Sequence, residues 1–517
     1  MIRSFITVST GTLASRLLGF ARDAMIAALL GTGPIADALL VAFQLVNVVR
    51  RLLSEGALNA ALVPAWLRVR ETEGVVEAAA FAGRVLGTIS AALVVATALI
   101  GLLMPLVITA LAPGFAGQPT LQLAVNDARL MLPYLAFAGP VTVMMALMSA
   151  QGRFALTAFS PLLFNIALIG VMAVLLGWRS GAHDAALVIA ATVGVAGLLQ
   201  LLVLGSRGRG LATPLRVAFD AQMRGFLGKA IPGMIASSGA QWLLVAGAII
   251  ASSSPSAVSW LYFANRLIEL PLGIVGVAMG TVLVPELTRA LRGADRAAVI
   301  HAESRALELA VGLALPATLG LIVLSEPVVW MLFQHRAFTS DDTMATAQAL
   351  TWLALGLPAH VLVKALSPAF FARDDTLTPL VAALTGFVVA IVSALVLDRW
   401  LGVGGIAVGI ALGAWSSALA LILRGAATFG FSIDALARRR LPRIAAAALA
   451  MGGLLWPVST HLNALTAETH SVVQVALLLG LIAGGVAIYG LLLALFGVLG
   501  WRDAVNAIRP EAGGLRG

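Results

Sequence analysis

The chain has 517 residues, of which 60% are hydrophobic and only 11% charged, and its mean hydropathy is +1.00. A soluble globular domain carries about 25% charged residues, so this composition excludes a water-soluble enzyme or a nucleic-acid-binding domain, and the net charge of +9 belongs on the connections of a membrane bundle. With no cysteine, disulfides, thiolate chemistry and Cys-ligated metals are excluded as well.

Apolar stretches of the ~20 residues that cross a ~30 Å hydrocarbon core recur along the whole chain. In order they predict transmembrane helices at 5–31, 35–66, 79–110, 125–151, 155–178, 183–205, 226–252, 257–288, 305–333, 343–367, 376–398, 402–424, 441–463 and 471–500, separated by Gly, Pro and short polar runs. The expected class is an all-α integral membrane protein of about fourteen helices, with none of the ~10-residue alternating segments of a β-barrel. Several spans exceed the length of a perpendicular crossing, which predicts tilt, kinks or projection from the bilayer. The first span holds charges and is followed by no small-residue cleavage site, so it reads as a retained helix and not a signal peptide.

Orientation follows from the basic residues between the spans. A cytoplasmic N-terminus puts roughly 23 of the 33 Lys and Arg on the cytoplasmic side and leaves about three, Arg179, Arg336 and Arg399, outside. Both termini are then cytoplasmic, and the high pI reports topology and contact with anionic lipid.

Segment 41–66 aligns without gaps to 262–287, each ending in small residues followed by Val-Pro. A small-Arg pair before Ser/Thr-Pro also recurs, at Gly152, Arg153 and Pro161 and again at Ala372, Arg373 and Pro379. The offsets, about 220 residues, predict two six-helix lobes, 1–215 and 216–435, related by an axis along the membrane normal. Two further helices, 436–517, lie outside the repeat, beyond the basic run Arg438–Arg440.

The chemistry lies in ionisable groups inside apolar spans, where each costs at least ~2.5 kcal/mol and faces a wet cavity or a partner. Helix one carries Arg16, Arg22 and Asp23; a heptad separates Arg16 from Asp23, which share a face, while Arg22 points elsewhere. Helix two carries Asn47, Arg50, Arg51 and Glu55, with Arg51 four residues from both Asn47 and Glu55. Helix eight carries Asn265, Arg266 and Glu269, and helix ten carries His360 and Lys364. The four arginines of helices one and two exceed their two acids by two charges, which suits a doubly negative ligand such as a diphosphate. Two readings stay open at this point. Arg16 could instead snorkel to the headgroups, and Arg50, Arg51 and Glu55 could bridge helices without touching a ligand.

Other motifs fail: no phosphate loop, no H-E-x-x-H, no G-x-S-x-G. Asp341-Asp342 and Asp374-Asp375 fall on opposite sides of the membrane in this topology and cannot cooperate as a transferase site.

A-S-R-L-L-G-F-A-R-D at 14–23, A-D-A-L-L-V-A-F-Q-L-V-N-V-V-R-R-L-L-S-E-G-A-L at 36–58, A-P-G-F at 112–115, Y-F-A-N-R-L-I-E-L-P-L-G at 262–273 and F-A-R-D-D-T-L-T-P at 371–379 resemble the MurJ (MviN) family, bacterial lipid II flippases within the larger group of multidrug, oligosaccharidyl-lipid and polysaccharide exporters. The resemblance spans essentially the whole chain. It implies a non-enzymatic transporter of the bacterial inner membrane that moves undecaprenyl-diphosphate-MurNAc-pentapeptide-GlcNAc to the periplasmic leaflet by alternating access, for peptidoglycan synthesis. It implies substrate contacts at Arg16, Arg22, Asp37, Arg50, Arg51, Glu55, Ser259, Arg266 and Glu269, with Arg22, Arg50 and Arg266 on diphosphate or sugar and Asp37 and Glu55 as gate or pairing partners. Helices thirteen and fourteen resemble the family's groove for the lipid tail. Implied partners are lipid II, membrane lipids and other cell-wall synthesis proteins, with no nucleic acid. No cofactor and no metal is expected, and coupling would come from the membrane potential or a monovalent ion. Many relatives carry Asp where this chain has Asn265, which puts an Asp–Arg latch in question here. Helix eleven lacks the central acid that a sodium site of some relatives would need. Two other readings keep a distinct observable: a drug exporter, whose cationic cargo four arginines would repel, and a scaffold, for which the arginines would be dispensable.

Overall fold

The computed structural model describes residues 2–54, 57–178, 180–208, 210–237, 239–278, 286–287, 289–290, 296–371, 373, 375–466 and 472–498. Among them there is no strand. The helices are α1 (Ile2–Leu30), α2 (Pro34–Ser54), α3 (Ala57–Thr72), α4 (Val75–Leu102), α5 (Met104–Leu111), α6 (Pro119–Met131), α7 (Pro133–Ala150), α8 (Phe154–Trp178), α9 (Ala182–Arg207) and α10 (Ala221–Ser237). They continue as α11 (Gly239–Ala251), α12 (Ala257–Ala278), α13 (Arg296–Val323), α14 (Ser325–Phe333), α15 (Ser340–Ala354), α16 (Leu357–Phe371), α17 (Leu377–Leu401), α18 (Val403–Phe429), α19 (Ala435–Thr466) and α20 (Val472–Leu495).

Nine described stretches are long and apolar enough to cross a membrane, and α15 with α16, bent by 43°, makes a tenth. The fourteen spans expected from sequence exceed this count. Helices α1, α2 and α12, which carry the charges of the site described below, fall outside it. Four expected spans are interrupted, each just before a proline: Leu103 before Pro105, Leu324 before Pro327, Leu355 before Pro358, and Leu132 before Pro133, where the backbone stays helical and Pro119–Ala150 remains one crossing. Proline lacks the N–H that a helix interior needs but fits its first turn, so it ends one helix and opens the next. The long spans therefore accommodate their length by breaking, and the pattern of a long helix, a short helix, a turn and a proline-broken helix occurs twice, in α4–α7 and again in α13–α16.

The main apolar core runs through α1, α2, α6, α8, α9, α11, α12, α14, α15 and α18, with Phe263, Phe333 and Phe338 fully buried at its centre. The connection between α9 and α10 lies along α4. Thr88 Oγ1 accepts a bond from the Ala218 N–H at 3.0 Å, and Arg84 pairs with Asp220 at 3.5 Å. Gly83 and Gly87 let the backbones touch, since a Cβ at either would strike the carbonyl of Pro214 or Arg216. At the other end of the chain, Pro316 cannot donate to the Gly312 carbonyl four residues earlier in α13, and the Tyr489 hydroxyl of α20 donates to it at 2.8 Å. Arg440 near the start of α19 pairs with Glu308 of α13 at 3.4 Å, so each of the last two helices is tied to α13, at positions one turn apart.

Candidate functional site

Tyr262, Asn265, Arg266 and Glu269 fall at i, i+3, i+4 and i+7 on α12 and so form one polar stripe along an otherwise apolar helix. It faces the polar residues of α1 and α2 across a cavity of about 540 Å³, and Asn165 of α8 and Lys364 of α16 also line it. Gly19 and Gly273 keep it open for the guanidinium groups: a Cβ at Gly19 would lie 2.5 Å from the Arg266 terminus, and one at Gly273 would overlap that of Arg16.

The charges form a chain that alternates in sign. Arg22 approaches Asp23 at 2.7 Å, Asp23 approaches Arg266 Nε at 2.6 Å, Arg266 bonds Glu269 at 2.8 Å, and Glu269 accepts from Arg51 at 2.6 Å. The Asp23–Arg266 contact is a close ion pair without hydrogen-bond alignment. Asp23 is fully buried and also accepts from the Tyr262 hydroxyl at 3.3 Å. Arg22 further donates to Asn165 Oδ1 at 3.1 Å and lies 4.9 Å from the Phe43 ring centroid. Such alternation is how a low-dielectric interior tolerates charge.

Arg16 and Arg50 stand outside that chain. Arg16 reaches only the backbone carbonyl of Glu269, at 3.5 Å, and Arg50 donates to Asn47 at 3.1 Å while its Nε is buried without a partner. Among the described residues neither has a carboxylate. Among the described residues, five arginines against Asp23 and Glu269 leave three positive charges in surplus, before Lys364 is counted. An uncompensated cation in the bilayer core is costly, so the arrangement is suited to receiving an anion of more than one charge.

The structure brings Arg16, Arg22, Arg50, Arg51, Arg266 and Glu269 to one cavity. Asp37 and Ser259 lie outside it: both are buried, and the Asp37 carboxylate accepts from the Ser259 hydroxyl, from the Ser259 N–H and from the Ser256 N–H, the two N–H bonds at 2.9 Å each. They join α2 to α12 at the end of the bundle where the α1–α2 turn lies. A second tie sits at that end, where Asp342, which completes the capping box opened by Thr339 at the start of α15, accepts from Thr32 Oγ1 at 2.6 Å and from Trp260 Nε1 at 3.1 Å. Glu55, Arg179, Ala372 and Asp374 lie outside the described residues.

One expectation needs correction. Arg22 does not point away from Asp23: the guanidinium is long enough to fold back over its neighbour, so adjacency in sequence becomes an ion pair. Arg51 crosses to Glu269 and Arg50 donates to Asn47, while the expected approach of Arg51 to Glu55 falls on a residue outside the described ones. Asp23 itself was visible as a charge in helix one but not as the centre of the network. Asn165 and Tyr262 were missed as cavity residues, whereas Lys364, visible as a charge in helix ten, does line the cavity. The available signal was a single polar side chain in an apolar run.

A family model described as lipid II flippase MurJ matches residues 26–480. The chain belongs to the MurJ family. A protein of Rhizobium meliloti (strain 1021) named "Probable lipid II flippase MurJ" is 37% identical over 503 residues, which is 95% of this chain and 92% of its own length. The Burkholderia cenocepacia protein named "Lipid II flippase MurJ" is 32% identical, over 82% of this chain and 83% of its own. Among solved structures, a lipid II flippase MurJ in an inward closed conformation superposes with a TM-score of 0.77 at 22% identity, over 97% of this chain and all of that one. An inward-facing multidrug resistance MATE transporter of the MOP superfamily gives 0.67 at 14% identity, over 85% of this chain and 98% of that one. These likenesses show the shared helical fold. MurJ family members are transporters and not enzymes, and the chain is accordingly a multi-pass membrane protein.

Proposed function

We propose that this chain flips lipid II, the undecaprenyl-diphosphate-linked MurNAc-pentapeptide-GlcNAc precursor, from the cytoplasmic to the periplasmic leaflet of the bacterial inner membrane. The observation that carries this reading is the pair of cavity arginines, Arg16 and Arg50, that lack a carboxylate partner. A diphosphate diester supplies the two negative charges they lack, and guanidinium forks bind phosphate oxygens bidentately without deprotonating. Arg22, Arg51 and Arg266 are already held by acids, so they define the shape of the site and give up part of their pairing as the headgroup enters.

Both termini are cytoplasmic in this reading, so the ties at Asp37 and Asp342 close the periplasmic end. Transport is then alternating access, with residues 1–215 rocking against 216–435 until those hydrogen bonds part. The tail stays in lipid along α19 and α20. Because moving one charge through the membrane field is worth ~2.3 kcal/mol per 100 mV, the potential biases the return of the empty cationic site. A drug exporter of cationic cargo fits less well, since the surplus charge of the cavity repels such cargo.

The test is leaflet accessibility. Cells depleted of the protein are treated from outside with an impermeant enzyme that cleaves the lipid II headgroup. Cleavage should fall on depletion and return with the wild-type chain but not with Arg50→Gln present at equal abundance. Unchanged cleavage after full depletion would overturn the substrate assignment.

A further inference from the structure

Beside the arginine cavity lies a smaller pocket of about 80 Å³ that shares Asn47, Arg51, Tyr262, Asn265 and Glu269 with it. We propose that this side pocket is a subsite for a secondary amide of the transported headgroup, a reading that rests on the lipid-linked substrate proposed above. Its chemistry differs from that of the main cavity. The only charged side chains on its wall are Arg51 and Glu269, which pair with each other at 2.6 Å. The remaining hydrogen-bonding capacity consists largely of carboxamides: Gln44 and Asn47, three residues apart on one face of α2, and Asn265 opposite them on α12. Among the described residues Gln44 and Asn265 make no hydrogen bond to protein, and Asn47 uses only its oxygen, toward Arg50. The floor is apolar, formed by Ala248, Leu353 and Ile410.

Half-buried amide groups that make no bond to protein stand ready to bond an incoming polar group beside the apolar floor. A phosphate is a poor occupant, because the neutral carboxamides offer it no charge and their carbonyls would repel it. A secondary amide matches. Its carbonyl accepts from a carboxamide NH2, its N–H donates to a carboxamide oxygen, and its methyl or Cα rests on the apolar floor. The size agrees too, since a water needs about 10–15 Å³ of such space and 80 Å³ therefore accommodates a group of about five to eight non-hydrogen atoms. Two parts of the headgroup carry this chemistry, the acetamido substituents of the sugars and the amides of the stem peptide. The walls come from both halves of the chain, α2 on one side and α11, α12, α15 and α18 on the other. Rocking of the halves therefore dismantles the subsite and releases what it holds.

The experiment measures dissociation constants of the purified full-length chain for four probes: undecaprenyl diphosphate without sugar, the complete glycolipid, its N-deacetylated form, and the disaccharide lipid without peptide. Gln44→Leu and Gln44→Ala should each weaken the complete glycolipid about tenfold, the loss of one or two hydrogen bonds, and leave sugar-free undecaprenyl diphosphate within twofold, since Gln44 lines the side pocket and not the arginine cavity. Deacetylation should weaken binding to the wild type by a similar factor and have little further effect on Gln44→Leu, if the acetamido group is the occupant. If the stem amide is the occupant, removing the peptide has that effect and deacetylation does not. Equal weakening of all four lipids by the variants, or no discrimination among the three headgroups by the wild type, overturns the subsite while leaving the flippase reading standing. Failure of the wild type to bind any of the four overturns both.

Discussion

Asp23 sits between Arg22 and Arg266, at 2.7 and 2.6 Å, with no access to solvent, and its removal should cost more than removal of either arginine. In Asp23→Asn, Arg266 keeps Glu269, but Arg22 keeps only the neutral oxygen of Asn165 and becomes a buried cation without a counter-ion, at a cost of about 3–5 kcal/mol. In Arg266→Gln no acid is orphaned, because Asp23 retains Arg22 and Glu269 retains Arg51. The loss is then that of charge-assisted hydrogen bonds, about 1.5–3 kcal/mol. Arg22→Gln likewise leaves Asp23 with Arg266. Since a folded chain is stable by only about 5–15 kcal/mol, the Asn variant should still be made but should unfold well before the others. Unfolding of the detergent-solubilised protein, followed by tryptophan fluorescence, measures the three variants side by side. A loss in Arg266→Gln or Arg22→Gln equal to that in Asp23→Asn would refute the view of Asp23 as the shared counter-ion. A double variant, Asp23→Asn with Arg22→Gln, should recover part of the stability, since it removes the orphaned charge as well.

Three other outcomes follow from the geometry. Gly273→Ala should displace the Arg16 guanidinium, whose terminus occupies the position of the new methyl, and lower flipping at unchanged protein level in the leaflet assay; normal flipping would separate Arg16 from the substrate. Asp37→Asn should weaken the α2–α12 tie by about 1–3 kcal/mol through loss of its charge-assisted bonds, and raise labelling of a cysteine placed at Ser256 by an external impermeant thiol reagent. Gly83→Leu should lift the connection at 213–218 off α4, because the added side chain meets the Pro214 carbonyl, and protease cleavage within that connection should quicken relative to wild type.

Much of the site was legible because charge inside an apolar helix is rare enough to be conspicuous. The arginines of α1 and α2 and the Arg266–Glu269 pair were all visible as intramembrane charges, and the structure gathers them in one cavity. Helical spacing alone did not give the pairings. Arg22 and Asp23 lie about 100° apart on α1, yet a guanidinium on three methylenes covers that angle, so backbone geometry understated what its end can reach. Arg51 also reaches across the cavity to Glu269, a partner that spacing within α2 could not show. The fold was read correctly as all-helical, but the span 343–367 was taken as a single helix although Pro358 stands inside it and the structure bends there by 43°. In membrane helices a proline can be tolerated, so its presence alone did not decide between a kink and a break. The resemblance placed Asp37 and Ser259 among the site residues, Asp37 as a gate or pairing partner, and in the geometry the two form a tie beside the cavity lining rather than within it. No pattern within α2 distinguishes a carboxylate that meets cargo from one that meets a neighbouring helix.

The segment laid along α4 also sets how far the proposed halves can drift. A free connection of the length of residues 208–220 would behave as a coil with an end-to-end spread of roughly 20 Å, enough slack for the two bodies to slide as well as tilt. With Ala218 bonded to Thr88 and its backbone seated on Gly83 and Gly87, that slack is taken up on one body, and the leash begins only at α10. Relative motion is thereby restricted to a pivot of short radius, so a cut in the segment should leave the strapped portion in place, whereas inserted residues just before α10 would lengthen the leash and blur the coordination between opening at one face and closure at the other.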